Sequence, residues 1–257
     1  MPISPSVVAA RLRAAGCVFA EDEAGLLIAA ASSEAELVAL VDRRVRGLPL
    51  EHVLGWAEFC DLRIAVDPGV FVPRRRTEFL VRRAAALAPP QALVVDLCCG
   101  SGAVGVALAT AIPAAQLHAT DLDPVAVRCA RRNCDPLGGL VYEGDLFAPL
   151  PSRLRGRIDV LVANVPYVPS DEVGLLPPEA RDHEPRIALD GGRDGLDILR
   201  RVTTTAATWL SPGGHLLIET SERQATPATT AMTTGGLTAT VAHSAEWNAT
   251  VVIGTLL

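Results

Sequence analysis

The sequence predicts an α/β protein: a doubly wound, mostly parallel sheet with a small N-terminal helical domain and a linking β-hairpin. Three observations carry this. After Pro89-Pro90, apolar runs of strand length alternate with segments of helical period. The first run leads into a glycine-rich stretch, Gly100-Ser101-Gly102-Ala103-Val104-Gly105, where a strand would turn into a helix. The chain before residue 50 has helical spacing only.

Residues 4 to about 47 read as helices, with Val7, Val8 and Leu12, then Leu26, Leu27 and Ile28, on apolar faces. Ser32-Ser33-Glu34-Ala35-Glu36 is an N-cap with acids in the first turn, and Gly47 with Pro49 ends that helix. Residues 1–50 form a helical unit too small for its own core, placed to recognise a substrate. Residues 51–76 form the hairpin: Phe59 to Val66 alternates as a strand, Asp67-Pro68-Gly69 turns, and Val70-Phe71-Val72 returns. Residues 77–257 form the main domain. It starts with a helix carrying Phe79, Leu80, Val81, Ala84 and Leu87. Strands follow at Ala92–Leu97, Gln116–Thr120, Leu140–Tyr142, Ile158–Ala163 and Gly214–Glu219. Helices lie at Ala103–Ala111, Pro124–Asn133 and Leu196–Leu210, and a hairpin closes the chain.

Composition narrows the chemistry. All 23 basic residues are arginine, which excludes a lysine nucleophile. Net charge is −6, against broad nucleic-acid binding, although Arg74-Arg75-Arg76 and Arg153, Arg155, Arg157 cluster. The six cysteines make no CxxC pair and the five histidines are scattered, so no metal site is expected. Adjacent Cys98-Cys99 suits a reducing cytoplasm. Met1 to Ser6 lacks a basic region before an apolar stretch, so no signal peptide is read there, and no apolar run spans a membrane. Nothing compels an oligomer, and a monomer is expected.

Gly100 to Gly105 matches a dinucleotide fingerprint, and Asp121 lies 19 residues beyond Gly102, where an acid would accept from ribose hydroxyls. That alone fits a nicotinamide enzyme equally well. Three further features favour S-adenosylmethionine. Asp96 precedes the glycines in a D-x-x-x-G-x-G arrangement; Asp145, followed by Leu146, ends the third strand; and Asn164-Val165-Pro166-Tyr167 ends the fourth. All fall at carboxyl ends of parallel strands, the edge that binds ligands. An Asn at a strand end, next to a backbone that proline holds extended, sets a side-chain carbonyl beside main-chain carbonyls. Such a pair grips a planar NH2 by both hydrogens, as an amino-methyltransferase requires.

On these residues the chain resembles the protein-glutamine N5-methyltransferase family, whose best-known members modify the Gly-Gly-Gln loop of peptide release factors. The resemblance runs from about residue 45 to the end. Phe71-Val72-Pro73-Arg74 with Thr77-Glu78 is similar to the family's I-P-R-P-x-T-E, and Gly144-Asp145-Leu146-Phe147 to its G-D-L-F. Glu184-Pro185 and Ala188-Leu189-Asp190-Gly191-Gly192-Arg193-Asp194-Gly195-Leu196 resemble its E-P-x-x-A-L-x-G-G-x-D-G-L; Pro212-Gly213-Gly214, Glu219 and Gln224 match its distal motifs.

The resemblance implies a class I S-adenosylmethionine-dependent methyltransferase and a protein partner with an exposed glutamine. It assigns the cofactor to Asp96, Cys98, Cys99, Gly100, Ser101, Gly102, Asp121, Asp145, Leu146 and Asn164. It assigns the acceptor to Asn164, Val165, Pro166, Tyr167 and Phe71, with Asn164, Pro166 and Tyr167 catalytic. His183 beside Glu184 reads as a loop-anchoring pair.

The chain also departs from the family. N-P-P-Y becomes Asn164-Val165-Pro166-Tyr167, the first loop glycine becomes Cys98, and a proline and an acid become Arg75 and Arg76. A glycine becomes Ser221. These mark a diverged paralogue. Three alternatives stay open: an adenine N6-type nucleic-acid methyltransferase, a non-catalytic cofactor-binding paralogue, and a nicotinamide oxidoreductase.

Overall fold

The computed structural model describes residues 4–257; Met1 to Ile3, part of the stretch read for a signal peptide, lie outside the described residues. The chain begins with helices α1 (Pro5–Ala14), α2 (Ala20–Ala30), α3 (Glu34–Val45) and the short α4 (Leu50–Leu54). Ser33 caps α3 by accepting from the Glu36 N–H at 3.2 Å. These helices are not merely laid on the rest of the chain. They enclose a small core of their own, built from Val8, Leu12, Ala24, Leu27, Leu37 and Val41. A buried arginine closes it: Arg44 binds Glu23 through two hydrogen bonds of 2.6 and 3.0 Å.

The hairpin sits earlier than its turn signals suggest. β1 (Trp56–Phe59) pairs antiparallel with β2 (Leu62–Ala65), and the turn is Cys60-Asp61. Both turn residues have positive φ, 51° and 59°, the two-residue geometry that suits strand twist. Asp67-Pro68-Gly69 turns separately, with Val70 N–H donating to Asp67 O at 3.1 Å, and Val70 to Val72 is not a strand.

α5 (Glu78–Leu87) enters the main domain. The sheet then builds from β3 (Leu93–Leu97), β4 (Gln116–Asp121), β5 (Leu140–Glu143), β6 (Ile158–Ala163) and β7 (Leu210–Thr220), with α6 (Ala103–Ala111) and α7 (Pro124–Cys134) as crossovers. Asp123 caps α7, with Pro124 in its first turn. Later elements are α8 (Pro178–His183), α9 (Asp197–Ala206), α10 (Ala225–Thr234), β8 (Thr238–Ser244) and β9 (Ala249–Thr255).

Strand order is β5-β4-β3-β6-β7-β9-β8. β3 to β7 run parallel, and β9 is antiparallel to both neighbours. The central strands bury both faces, which is why they read as continuous apolar runs. Val94, Val160, Val162 and Leu217 face one core; Val95, Leu161, Leu216 and Ile218 face the other.

β3 has β4 on one side and β6 on the other, so the order reverses between β3 and β6. A crevice opens there beyond the carboxyl ends of the strands. Leu97 pairs with Ala163, so the chain leaves the sheet side by side at Cys98 and Asn164.

Candidate active site

A cavity of about 1060 Å³ occupies that crevice. It stands at the upper end of the roughly 300–1,000 Å³ usual for a ligand pocket, a size that suits a large cofactor with an acceptor group beside it. Of the thirteen residues between Asp96 and Tyr167 read as site residues, twelve line the cavity, as does Phe71; Gly102 does not. Gly102 instead turns the chain into α6 at φ 79°, and a Cβ there would meet Cys134 Sγ at 3.0 Å.

The glycine loop is held by two carboxylates. Asp96, 1% exposed, accepts from Gly105 N–H at 2.9 Å and so ties β3 to the start of α6. Burial pushes its carboxyl up to about 7, offset by that N–H. Asp121 accepts from Gly100 N–H at 2.8 Å and from Asp123 N–H at 2.9 Å. Its carboxyl is also raised by burial, against the lowering effect of those donors. Cys98 holds φ 55°, a conformation glycine adopts freely and other residues do not. Burial raises the thiols of Cys98 and Cys99 and pushes that of Cys134 up to about 12, so none serves as a thiolate nucleophile.

At the next strand end, Asp145 pairs with Arg201 of α9 at 2.5 Å. Arg201 lines the same cavity and was not legible in the sequence: it lies 56 positions away with no motif around it.

The Asn164 to Tyr167 stretch is buttressed from behind. Val168 N–H donates to Leu189 O at 3.0 Å and Gly191 N–H to Val168 O at 2.8 Å. A Cβ on Gly191 would stand 2.6 Å from Pro166 O, and one on Gly195 would strike the Tyr167 carbonyl. The Gly-Gly-x-Asp-Gly-Leu signature is therefore a backbone-to-backbone brace. Among the described residues nothing bonds the Asn164 side-chain amide or the Val165 carbonyl, so both acceptors are free.

The Val70–Arg74 segment is pinned by Glu184, whose side chain is fully buried. Glu184 accepts from Val72 N–H at 3.1 Å and from the Arg74 guanidinium at 2.6 Å. Its partner is thus Arg74, not the adjacent His183: the backbone turn at the end of α8 sends the carboxylate towards the Val72–Arg74 chain. Phe71 lines the cavity with Arg74 over its ring at 4.9 Å. The three consecutive arginines are partly exposed, yet each is engaged within the chain. Arg74 is spent on Glu184, Arg75 lies 5.9 Å over Trp247, and Arg76 bonds Glu219 at 3.1 Å and the Tyr167 hydroxyl.

Three buried side-chain oxygens have no partner among the described residues: Thr77 Oγ1, Thr120 Oγ1 and Glu219 Oε2. All three residues line this one cavity. Buried polar atoms are rarely left unpaired, so their convergence here fits a cavity built for a polar ligand.

A mostly parallel seven-stranded sheet, with its antiparallel strand beside the last one and a glycine loop at the switch point, defines a class I methyltransferase fold. Residues 61–175 match the family model described as "Methyltransferase small domain". A methyltransferase structure from Pyrococcus furiosus shares the fold, with TM-score 0.56 at 15% identity, over 76% of this chain and 88% of that one. Among curated proteins, the release factor glutamine methyltransferase of Geobacter sulfurreducens is 44% identical over 72% of this chain and 65% of its own length. That of Streptomyces coelicolor is 40% identical over 76% of this chain and 70% of its own. The chain belongs to this release factor glutamine methyltransferase family, and spans about two thirds of the length of these relatives. Also 40% identical, over 70% of this chain and 63% of its own length, is a 4-amino-L-phenylalanine/4-methylamino-L-phenylalanine methyltransferase of Streptomyces pristinaespiralis.

Proposed function

We propose that the protein transfers a methyl group from S-adenosylmethionine to the side-chain amide nitrogen (N5) of a glutamine in a protein, with a peptide release factor as the first substrate to test. One observation carries the reading most: Asn164 Oδ1 and the Val165 carbonyl are free acceptors, consecutive in the chain, on the wall of the cavity that the glycine loop shares.

S-adenosylmethionine, when bound, supplies an electrophilic methyl on a sulfonium. The Cys98–Ser101 loop, Asp121, Asp145 and Leu146 are the groups that would hold it. The three unpartnered oxygens and the size of the cavity fit a large polar ligand of this kind.

A carboxamide nitrogen is a weak nucleophile because its lone pair is delocalised. Asn164 and the Val165 carbonyl accept its two N–H bonds, aim the lone pair, and favour the positive charge that develops on nitrogen. Holding the acceptor in line supplies much of the rate. Tyr167 walls the flat amide, and Phe71, which lines the same cavity, is a second candidate wall. The Tyr167 hydroxyl is pushed up, first by burial and then by Glu219, so it stays protonated and serves as a hydrogen-bonding wall, not as a base. No strong base is required, since the proton can leave after transfer.

The aryl-amine relative favours one second reading, a small aromatic amine as acceptor: two N–H acceptors grip an aniline as well as an amide. The internal use of Arg74 and Arg76 weighs against a nucleic-acid acceptor. The expected setting is the cytoplasm, given six free cysteines. Among the described residues no helix is long and apolar enough to cross a membrane.

The test is methyl transfer from labelled S-adenosylmethionine to purified release factor, to 4-aminophenylalanine, and to a lysate treated with protease or nuclease. Label on release factor or another protease-sensitive band supports the glutamine reading. Label on the amino acid alone, or on nuclease-sensitive material, overturns it. Asn164→Ala should abolish transfer and leave cofactor binding largely intact; wild-type turnover in that variant would remove Asn164 from the mechanism.

A further inference from the structure

Tyr167 is held by a closed network with a cation at its centre. Arg76 stands in the 3-10 turn Arg75–Thr77 before α5. Its Nε donates to Glu219 Oε1 at 3.1 Å, and its Nη2 donates to the Tyr167 hydroxyl. That hydroxyl donates in turn to the same Glu219 Oε1 at 3.2 Å. The guanidinium carbon lies 5.8 Å from the Tyr167 ring centre. Glu219 is 2% exposed and its other oxygen has no partner among the described residues. All three side chains line the cavity.

The arrangement has a direction. Glu219 is fixed on β7, hydrogen-bonded in the sheet between β6 and β9. Tyr167 lies in irregular chain after β6; Gln224 and the neighbouring Val168 bonds brace its backbone, which leaves its side chain to be set by other contacts. Arg76 reaches across from a third segment and bonds both, so the strand holds the loop tyrosine twice, directly through the Tyr167 hydroxyl and again through the guanidinium. Arginine suits this role because its planar fork offers donors in fixed directions. The segment resembles one in which an acid occupies this position. An acid beside buried Glu219 would repel it and could not donate to the Tyr167 hydroxyl.

We propose that Arg76 is a positioning residue of the acceptor pocket: with Glu219 it locks the Tyr167 ring as the wall against which the acceptor group lies flat. The proposal rests on the acceptor reading of Asn164 to Tyr167 given above. Arg76 touches no reacting atom. It acts through Tyr167, so its loss costs turnover and not cofactor affinity.

The chain has only two tyrosines, Tyr142 and Tyr167. Protein labelled with 3-fluorotyrosine therefore gives two fluorine resonances, and Tyr142→Phe assigns them. Arg76→Ala is expected to shift or broaden the Tyr167 resonance and leave that of Tyr142 in place. It should lower kcat for the methylated acceptor about 10- to 100-fold, with the S-adenosylmethionine Kd unchanged. Arg76→Lys, which keeps the charge and loses the fork, should recover part of kcat. An unchanged Tyr167 resonance in Arg76→Ala overturns the proposal, as does an altered resonance with full kcat. An Arg76-dependent resonance in a protein that methylates no glutamine supports the anchoring and overturns the glutamine reading, so the two failures are distinct.

Discussion

The side-chain amide of Gln224 donates to the main-chain carbonyl of Tyr167 at 2.9 Å, and to that of Asp194 at the same distance. One buried glutamine thus ties the acceptor stretch to the Gly191–Gly195 brace. Its own oxygen accepts from Ser221, at the start of the turn that leads into α10. Glu219 and Gln224, five residues apart, both serve Tyr167, one through its hydroxyl and one through its backbone.

Gln224→Leu keeps the bulk and removes the donors. Two carbonyls then lose their partner, at about 1–3 kcal/mol for each that stays buried. The expected outcome is a lower Tm together with a fall in transfer to the acceptor, while cofactor binding persists. A variant that melts and turns over like the wild type would show that the brace does not need this residue.

The Cys98 backbone argues a second prediction. A non-glycine residue at φ 55° costs about 1–2 kcal/mol, partly offset because glycine is more disordered when unfolded. Cys98→Gly should therefore raise stability by up to about 1 kcal/mol, or about 2–4 °C in Tm for a chain of this size. With no side chain at the cavity wall it should also tighten S-adenosylmethionine, measured by calorimetry. An unchanged Tm and a weaker Kd would show that the thiol contributes contacts worth more than the strain.

The central sheet is legible because its strands are buried on both faces and read as nearly continuous apolar runs, as Leu93–Leu97 and Ile158–Ala163 do, each with a single aspartate. The site edge followed from the motifs at the ends of those strands. The first hairpin is hidden in the sequence because its turn, Cys60-Asp61, carries neither glycine nor asparagine, whereas Asp67-Pro68-Gly69 turns without reversing a strand. α10 is not legible in the sequence because its threonines and Pro227 obscure a helix that tertiary packing of Ala228 and Met232 stabilises. The pairs Arg74–Glu184, Arg76–Glu219 and Arg201–Asp145 join positions far apart, and no local pattern announces them.

Asp96 predicts how stability depends on pH. Its folded carboxyl is raised to about 7 from 3.8, so between those values the native state keeps a proton that the unfolded chain has lost. Stability without ligand therefore falls as pH rises from about 4 towards 7, and the loss is complete above that. The span corresponds to at most about 4 kcal/mol. Asp121, raised in the same direction, adds a slope of the same sign. Asp96→Asn removes the larger part, because an amide cannot ionise, yet its oxygen can still accept from Gly105 N–H. The variant should match the wild type near pH 4, exceed it increasingly up to about pH 7 and keep a constant lead above that, read as ΔG from denaturant melts. Parallel pH curves for the two proteins would show that Asp96 is ionised in the folded state throughout, and that solvent or Gly105 compensates its burial in full.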